Sequence, residues 1–177
     1  MRLFIAYGTG EGQTHKIVES IKDQLTGLGH EATIYDTSTI LGDLEPASFD
    51  QIIVAGSVHE HRHQQGVEMF VLANLKTLRA KPSMFISTSL AAAFDDCRSD
   101  AQEYVDQFVE QSGWQPHTTL MVAGAVRHGE YGYYKEQILQ HEVLKGHDVE
   151  IPKQDHEFTN WDELARSIAE FVETDHH

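Results

Sequence analysis

The stretch Tyr7-Gly8-Thr9-Gly10-Glu11-Gly12-Gln13-Thr14 sets three glycines and two threonines between an apolar run and an amphipathic one. Residue types in that order suit anion binding. Glycines let the chain turn sharply and approach a ligand, and the first amides of a following helix have no intrahelical acceptor. The helix macrodipole adds roughly half a positive charge at the same end. Thr9 and Thr14 can add hydroxyl donors, so the stretch is read as a phosphate loop. Its alternative is a plain strand-to-helix turn that holds nothing.

Three phosphate chemistries compete for the spacing. The dinucleotide fingerprint G-x-G-x-x-G finds Gly8 and Gly10 but meets Gln13 where its third glycine belongs. A side chain there obstructs helix–strand packing against a pyrophosphate. Asp36, at the end of the second expected strand, keeps this reading open, because an acid there can hold a ribose. A P-loop needs Gly-Lys-Ser/Thr after the turn, and none follows. Thr9-x-x-Gly12-Gln13-Thr14 resembles the monophosphate loop of flavodoxins, S/T-x-T-G-x-T, with Gly10 and Glu11 at two of its hydroxyl positions. That resemblance implies FMN. Glu11 is expected to point outward, since it would otherwise set a carboxylate beside the phosphate.

His59, His61 and His63 form a second constellation, at alternate positions in the expected loop 58–65. Three imidazoles can fill a zinc coordination sphere. A polar loop in a chain with 12 histidines accounts for them as well, and no metal is assigned. Cys97 is the sole cysteine, so an internal disulfide is excluded and a reducing cytoplasm is expected. Asp95, Asp96 and Asp100 around it oppose the thiolate, which makes an inert thiol the expectation.

The net charge of −15, from 28 acids against 13 bases, argues against nucleic acid and against an anionic membrane surface. It suits docking to a basic redox partner or adaptation to high salt. No apolar run is long enough to span a bilayer, and the N-terminus is expected to enter a strand without a leader segment. The length of 177 residues suits one domain.

The elements that must position these residues follow from periodicity. Strands are expected at 2–7, 31–36, 51–57, 83–89 and 118–126, the third apolar on both faces as an interior parallel strand should be. Helices are expected at 13–28, 66–78 and 98–112, and a last one beginning after an Asn160 cap with Glu163 three residues on. Alternating strands and helices give a doubly wound α/β fold with a five-stranded parallel sheet, for which the flavodoxin-like order 2-1-3-4-5 is expected. Its ligand should lie at the carboxyl ends of strands one, three and four. Those ends carry Thr9, Gly10, Glu11, Gly12, Gln13 and Thr14; Ser57, Val58 and His59; and Ser89, Leu90, Ala91 and Ala92. Residues 127–158 exceed an ordinary connection and form an insertion after strand five, with Tyr131, Tyr133 and Tyr134 near its start and a helix expected at 134–144.

Gly12-Gln13-Thr14, Ser112-Gly113-Trp114-Gln115-Pro116, Ala123-Gly124-Ala125-Val126-Arg127 and Phe158-Thr159-Asn160-Trp161 together resemble bacterial menaquinone-dependent protoporphyrinogen dehydrogenases, long-chain flavodoxin-type flavoproteins. The resemblance covers nearly the whole chain. It implies a flavodoxin-like three-layer sandwich and bound FMN. It also implies two-electron chemistry in haem biosynthesis with a quinone as acceptor, in the cytoplasm or peripherally at the membrane. In that family the insertion is basic and apolar. Here it carries Glu130, Glu136, Glu142, Asp148, Glu150, Asp155 and Glu157. Two classes therefore stay open: an FMN enzyme acting on protoporphyrinogen or another small reductant, and a flavodoxin-type carrier docking to a redox protein. In either, the flavin carries the chemistry, and only His59 and His61 are candidates to relay a proton.

Overall fold

The computed structural model describes residues 1–126 and 155–174. Its strands are β1 (Arg2–Gly8), β2 (Glu31–Asp36), β3 (Gln51–His59), β4 (Arg62–His63), β5 (Ser83–Ser89), β6 (Thr118–Ala123), β7 (Ala125–Val126) and β8 (His156–Glu157). Its helices are α1 (Gln13–Gly27), α2 (Gln65–Ala73), α3 (Leu75–Ala80), α4 (Arg98–Ser112) and α5 (Trp161–Glu173). The parallel sheet runs β2-β1-β3-β5-β6, the expected 2-1-3-4-5 once the short β4 is set aside. The expected helix at 134–144 and the three tyrosines of the insertion lie outside the described residues.

Alternation along β1 explains the layering. Leu3, Ile5 and Tyr7 face one side, where Ile17, Ile21 and Leu25 of α1 meet Leu164, Ile168 and Phe171 of α5. Phe4 and Ala6 face the other side, against Val67, Phe70 and Val71 of α2 and Val105 and Phe108 of α4. A strand with both faces covered in this way reads as a continuous apolar run. Trp114, fully buried in the second layer, donates its indole N–H to Ser83 Oγ at 3.3 Å.

Three expected elements differ in the structure, each for a local reason. The helix expected over 66–78 breaks at Asn74. Its side-chain amide donates to Phe70 O at 2.9 Å and competes with the helical ladder, so α2 ends and α3 begins there. Strand three continues to His59 and folds back as a hairpin, pairing Val58 with His63 and His59 with Arg62. The two turn residues, Glu60 and His61, both have positive φ, 49° and 64°, the geometry of a tight primed hairpin turn without the glycine or asparagine that normally announces it. Strand five stops at Ala123. Gly124 donates its N–H to Ser89 O and accepts from Phe158 N–H, and β7 then leaves the sheet to pair antiparallel with β8. The stretch expected as an insertion thus rejoins the described structure in this ribbon.

The last helix starts where its cap predicts, with Asn160 Oδ1 accepting the Glu163 N–H at 3.1 Å. Asn160→Ala should lower stability by about 1 kcal/mol, read from the urea midpoint at unchanged slope. Among the described residues, no helix is long and apolar enough to cross a membrane.

Candidate functional site

The carboxyl ends of β1, β3 and β5, with the segment after β6, border an open cleft. Doubly wound sheets bind ligands at this end because neighbouring crossovers run to opposite faces there. The β1–α1 loop contributes Thr9, Gly10, Glu11, Gln13 and Thr14, and β3 contributes Ser57, Val58 and His59. Ser89 and Leu90 follow from β5. The structure therefore brings most of the expected residues together. Ala91 and Ala92 form a single 3-10 turn instead, and Ala92 faces a separate groove beside β6. Thr88, Gly124 and Ala125 line the cleft without having been anticipated.

The loop holds itself open for an anion. Gly12, with φ of 89°, adopts the left-handed conformation just before α1, a position that favours glycine. Its N–H donates to Thr9 Oγ1 at 2.8 Å, so the threonine expected as a ligand donor also closes the turn. The first helical bond runs from Lys16 N–H to Gly12 O, leaving the preceding amides outside the ladder. Gly8 is required for a different reason: a Cβ there would stand 2.5 Å from Val67 Cγ2 of α2. Glu11, expected to point outward, contributes to the cleft lining and is half-buried.

Thr14 and Thr88, which line the cleft, each bury a hydroxyl with no partner among the described residues. Thr14 is fully buried and Thr88 is 2% exposed, and neither Oγ1 makes a hydrogen bond to a described residue. A third orphan, Gln51 Oε1, belongs to the first residue of β3, at the opposite end of the sheet. Buried polar atoms are nearly always satisfied. Two orphans lining one cleft fit a polar ligand that supplies acceptors, as a phosphate ester with a polyol chain does.

Gln13 does not simply obstruct a pyrophosphate. Its amide donates to Thr159 Oγ1 at 2.9 Å and to Glu157 Oε2 at 3.2 Å. Glu157 also accepts from Trp161 Nε1 at 2.7 Å and from Lys16 Nζ. Burial pushes the Glu157 carboxyl up, but these donors outweigh it and hold it below the usual carboxylate range. The clasp fixes the chain returning through β8 against the start of α1.

Asp36 is committed elsewhere. Its Oδ1 accepts from Ser38 N–H at 2.8 Å and Ser38 Oγ at 2.7 Å, and its Oδ2 accepts from the Tyr7 hydroxyl at 3.4 Å. It closes the turn after β2 and is absent from the cleft lining, which removes the support for a ribose-binding acid.

The histidines separate. His59 lines the cleft. His61 Nδ1 lies 3.1 Å from the Tyr104 hydroxyl. His63 is buried against Phe85 and Phe108, with Nε2 2.9 Å from Ser87 Oγ. Burial pushes its pKa down to about 4, so it is a neutral core group. Among the described residues no cluster of histidine, cysteine or carboxylate has metal-binding geometry. Cys97 is buried at the start of α4.

Comparison with known proteins agrees with this geometry. The chain is 23% identical over 173 residues to protoporphyrinogen IX dehydrogenase [quinone] of Escherichia coli (strain K12), covering 97% of this chain and 95% of that protein. It is also 23% identical over 179 residues to a protein of the same name from Leishmania major, covering 97% and 74%. The fold superposes on oxidised flavodoxin 2 from Bacillus cereus with a TM-score of 0.57 at 16% identity, covering 98% and 99% of the two chains. The family model of the flavodoxin domain matches residues 4–148. By that match, with the sheet order and the loop before α1, the chain belongs to the flavodoxin-domain family, whose cofactor is FMN.

Proposed function

We propose that the cleft is the FMN site and that the protein is an FMN-dependent oxidoreductase of protoporphyrinogen IX, with a quinone as electron acceptor and a role in haem biosynthesis. The pair of unpartnered hydroxyls, Thr14 and Thr88, carries the cofactor half of this reading. Thr14 and the first amides of α1 would hold the phosphate, with Thr9, Gly10, Gly12 and Ser57 around it. Thr88, Ser89, Leu90, Gly124 and Ala125 would line the rest of the molecule. Near-full-length similarity to two proteins named protoporphyrinogen IX dehydrogenase supports the substrate half.

When bound, FMN supplies a ring that accepts two electrons with protons from a reductant and gives them up to an oxidant. The chain's own part is to bind, orient and shield. His59 lines the cleft and would carry a proton between ring and solvent; His61 Nδ1 lies against the Tyr104 hydroxyl. No side-chain nucleophile is required.

A second reading, a flavodoxin-type carrier docking to a basic redox protein, is favoured by the net charge of −15. Turnover separates the two. Anaerobic incubation of the FMN-loaded protein with protoporphyrinogen IX and a menaquinone analogue should raise porphyrin fluorescence in proportion to quinone consumed. No quinone-dependent porphyrin, from a protein whose flavin still reduces and reoxidises, would contradict the enzyme and leave the carrier.

A further inference from the structure

Beside the loop before α1, a glutamine that no cofactor pattern flags contacts a serine that lines the cleft. Ser57 N–H donates to Gln64 Oε1 at 3.0 Å. A backbone N–H can only donate, so the amide oxygen must face it, and this fixes the orientation of the whole carboxamide. The amide nitrogen then lies on Ser57 Oγ and donates to it. Gly10 N–H reaches the same Oγ from the phosphate loop at 3.3 Å. A hydroxyl oxygen has two acceptor lone pairs and one proton. Both lone pairs are taken by these donors, so the proton alone remains, and Ser57 lines the cleft.

We propose that Gln64 is a positioning residue of the phosphate site: it occupies Ser57 so that the serine hydroxyl can only donate into the cleft, toward an anionic oxygen. This rests on the FMN reading above. The fold supplies Gln64 through the β3–β4 hairpin, whose two-residue turn returns the chain beside Ser57. The Gln64 carbonyl is then held by the start of α2, accepting from Val67 N–H at 3.0 Å. Gly8 leaves the space, since a Cβ there would stand 3.2 Å from Gln64 Oε1. A methionine at position 64 keeps the length of the side chain but frees the Ser57 proton to turn away. A glutamate keeps the shape but replaces the donor by an acceptor, which captures that proton and faces the phosphate with a charge.

The test titrates apoprotein with FMN and with riboflavin, which lacks the phosphate, by flavin fluorescence. Gln64→Met should weaken FMN about five- to tenfold and riboflavin less than about twofold. In a Ser57→Ala background the same change should shift FMN by less than about twofold, because its route of action is gone. Gln64→Glu, close to isosteric, should weaken FMN more than Gln64→Met does and again spare riboflavin. Equal losses for both flavins, or the same FMN loss with and without Ser57, would reduce Gln64 to a packing residue and overturn the proposal. Wild-type protein that binds neither flavin would instead overturn the FMN reading on which it rests.

Discussion

Thr14→Val should weaken FMN binding about 5- to 150-fold, or 1–3 kcal/mol, while leaving the apoprotein as stable as before or about 1 kcal/mol more stable. The two signs come from one atom. Thr14 is fully buried and its Oγ1 has no partner among the described residues, so the apoprotein carries a desolvated hydroxyl that gains nothing. Valine fills the same volume without that penalty and without opening a cavity. With FMN in the proposed site the hydroxyl would have a charged acceptor, and its removal would be a loss. Thr88→Val should show the same pair of signs with a smaller loss, since an uncharged acceptor is the weaker partner. Urea unfolding of apoprotein and FMN titration, run on the same preparations, decide it. A variant that loses stability but keeps its FMN affinity would place Thr14 in the core and outside the phosphate site.

The second large effect is on acid stability. His63 is buried against Phe85 and Phe108, and its pKa falls from the ordinary 6.5 to about 4. Above pH 6.5 the imidazole is neutral in both folded and unfolded chains, and its contribution is complete. Between 6.5 and 4 the unfolded chain takes up a proton that the native one refuses, so stability falls as pH falls. By pH 4.5 the loss from this residue should reach about 2–3 kcal/mol. His63→Gln retains a polar group for Ser87 but cannot titrate. It should cost stability at every pH, through lost ring packing, yet flatten the decline between pH 6.5 and 4.5. The low-lying carboxyls of Asp36 and Glu157 titrate in both proteins and cancel in the comparison. Parallel pH profiles for wild type and His63→Gln would contradict the assignment of a buried neutral imidazole.

What the sequence made legible was local. The apolar runs, the glycines and threonines at 8–14, and Asn160 with Glu163 each act within a few residues, so spacing alone located the strands, the loop and the last helix, while the strand order came from the flavodoxin-like topology. Contacts between distant segments stayed hidden. Gln13 was visible as a misfit in a dinucleotide fingerprint, but its partners Glu157 and Thr159 lie 144 and 146 positions away. The β3–β4 hairpin left no trace, because Glu60 and His61 take the left-handed conformations usually marked by glycine or asparagine. Without that hairpin, Gln64 could not be placed against Ser57, nor His63 in the core. Thr88 was concealed in a strand whose residues are all buried, and only its unpartnered hydroxyl distinguishes it. Gly124 ended strand five through its bonds to Ser89 and Phe158, which periodicity does not report.

The cleft is proposed to be built for a flavin monophosphate. Equilibrium titration of one apoprotein preparation with FMN, FAD and NAD tests it most directly, by flavin fluorescence for the first two and by competition against FMN for the third. The expected result is a yellow complex with FMN at least about tenfold tighter than with FAD, roughly 1.4 kcal/mol, and no displacement by NAD. The orphan hydroxyls of Thr14 and Thr88, and Gln13 tied to Glu157 and Thr159 at the helix start, are the reasons. FAD or NAD binding as tightly as FMN would contradict it.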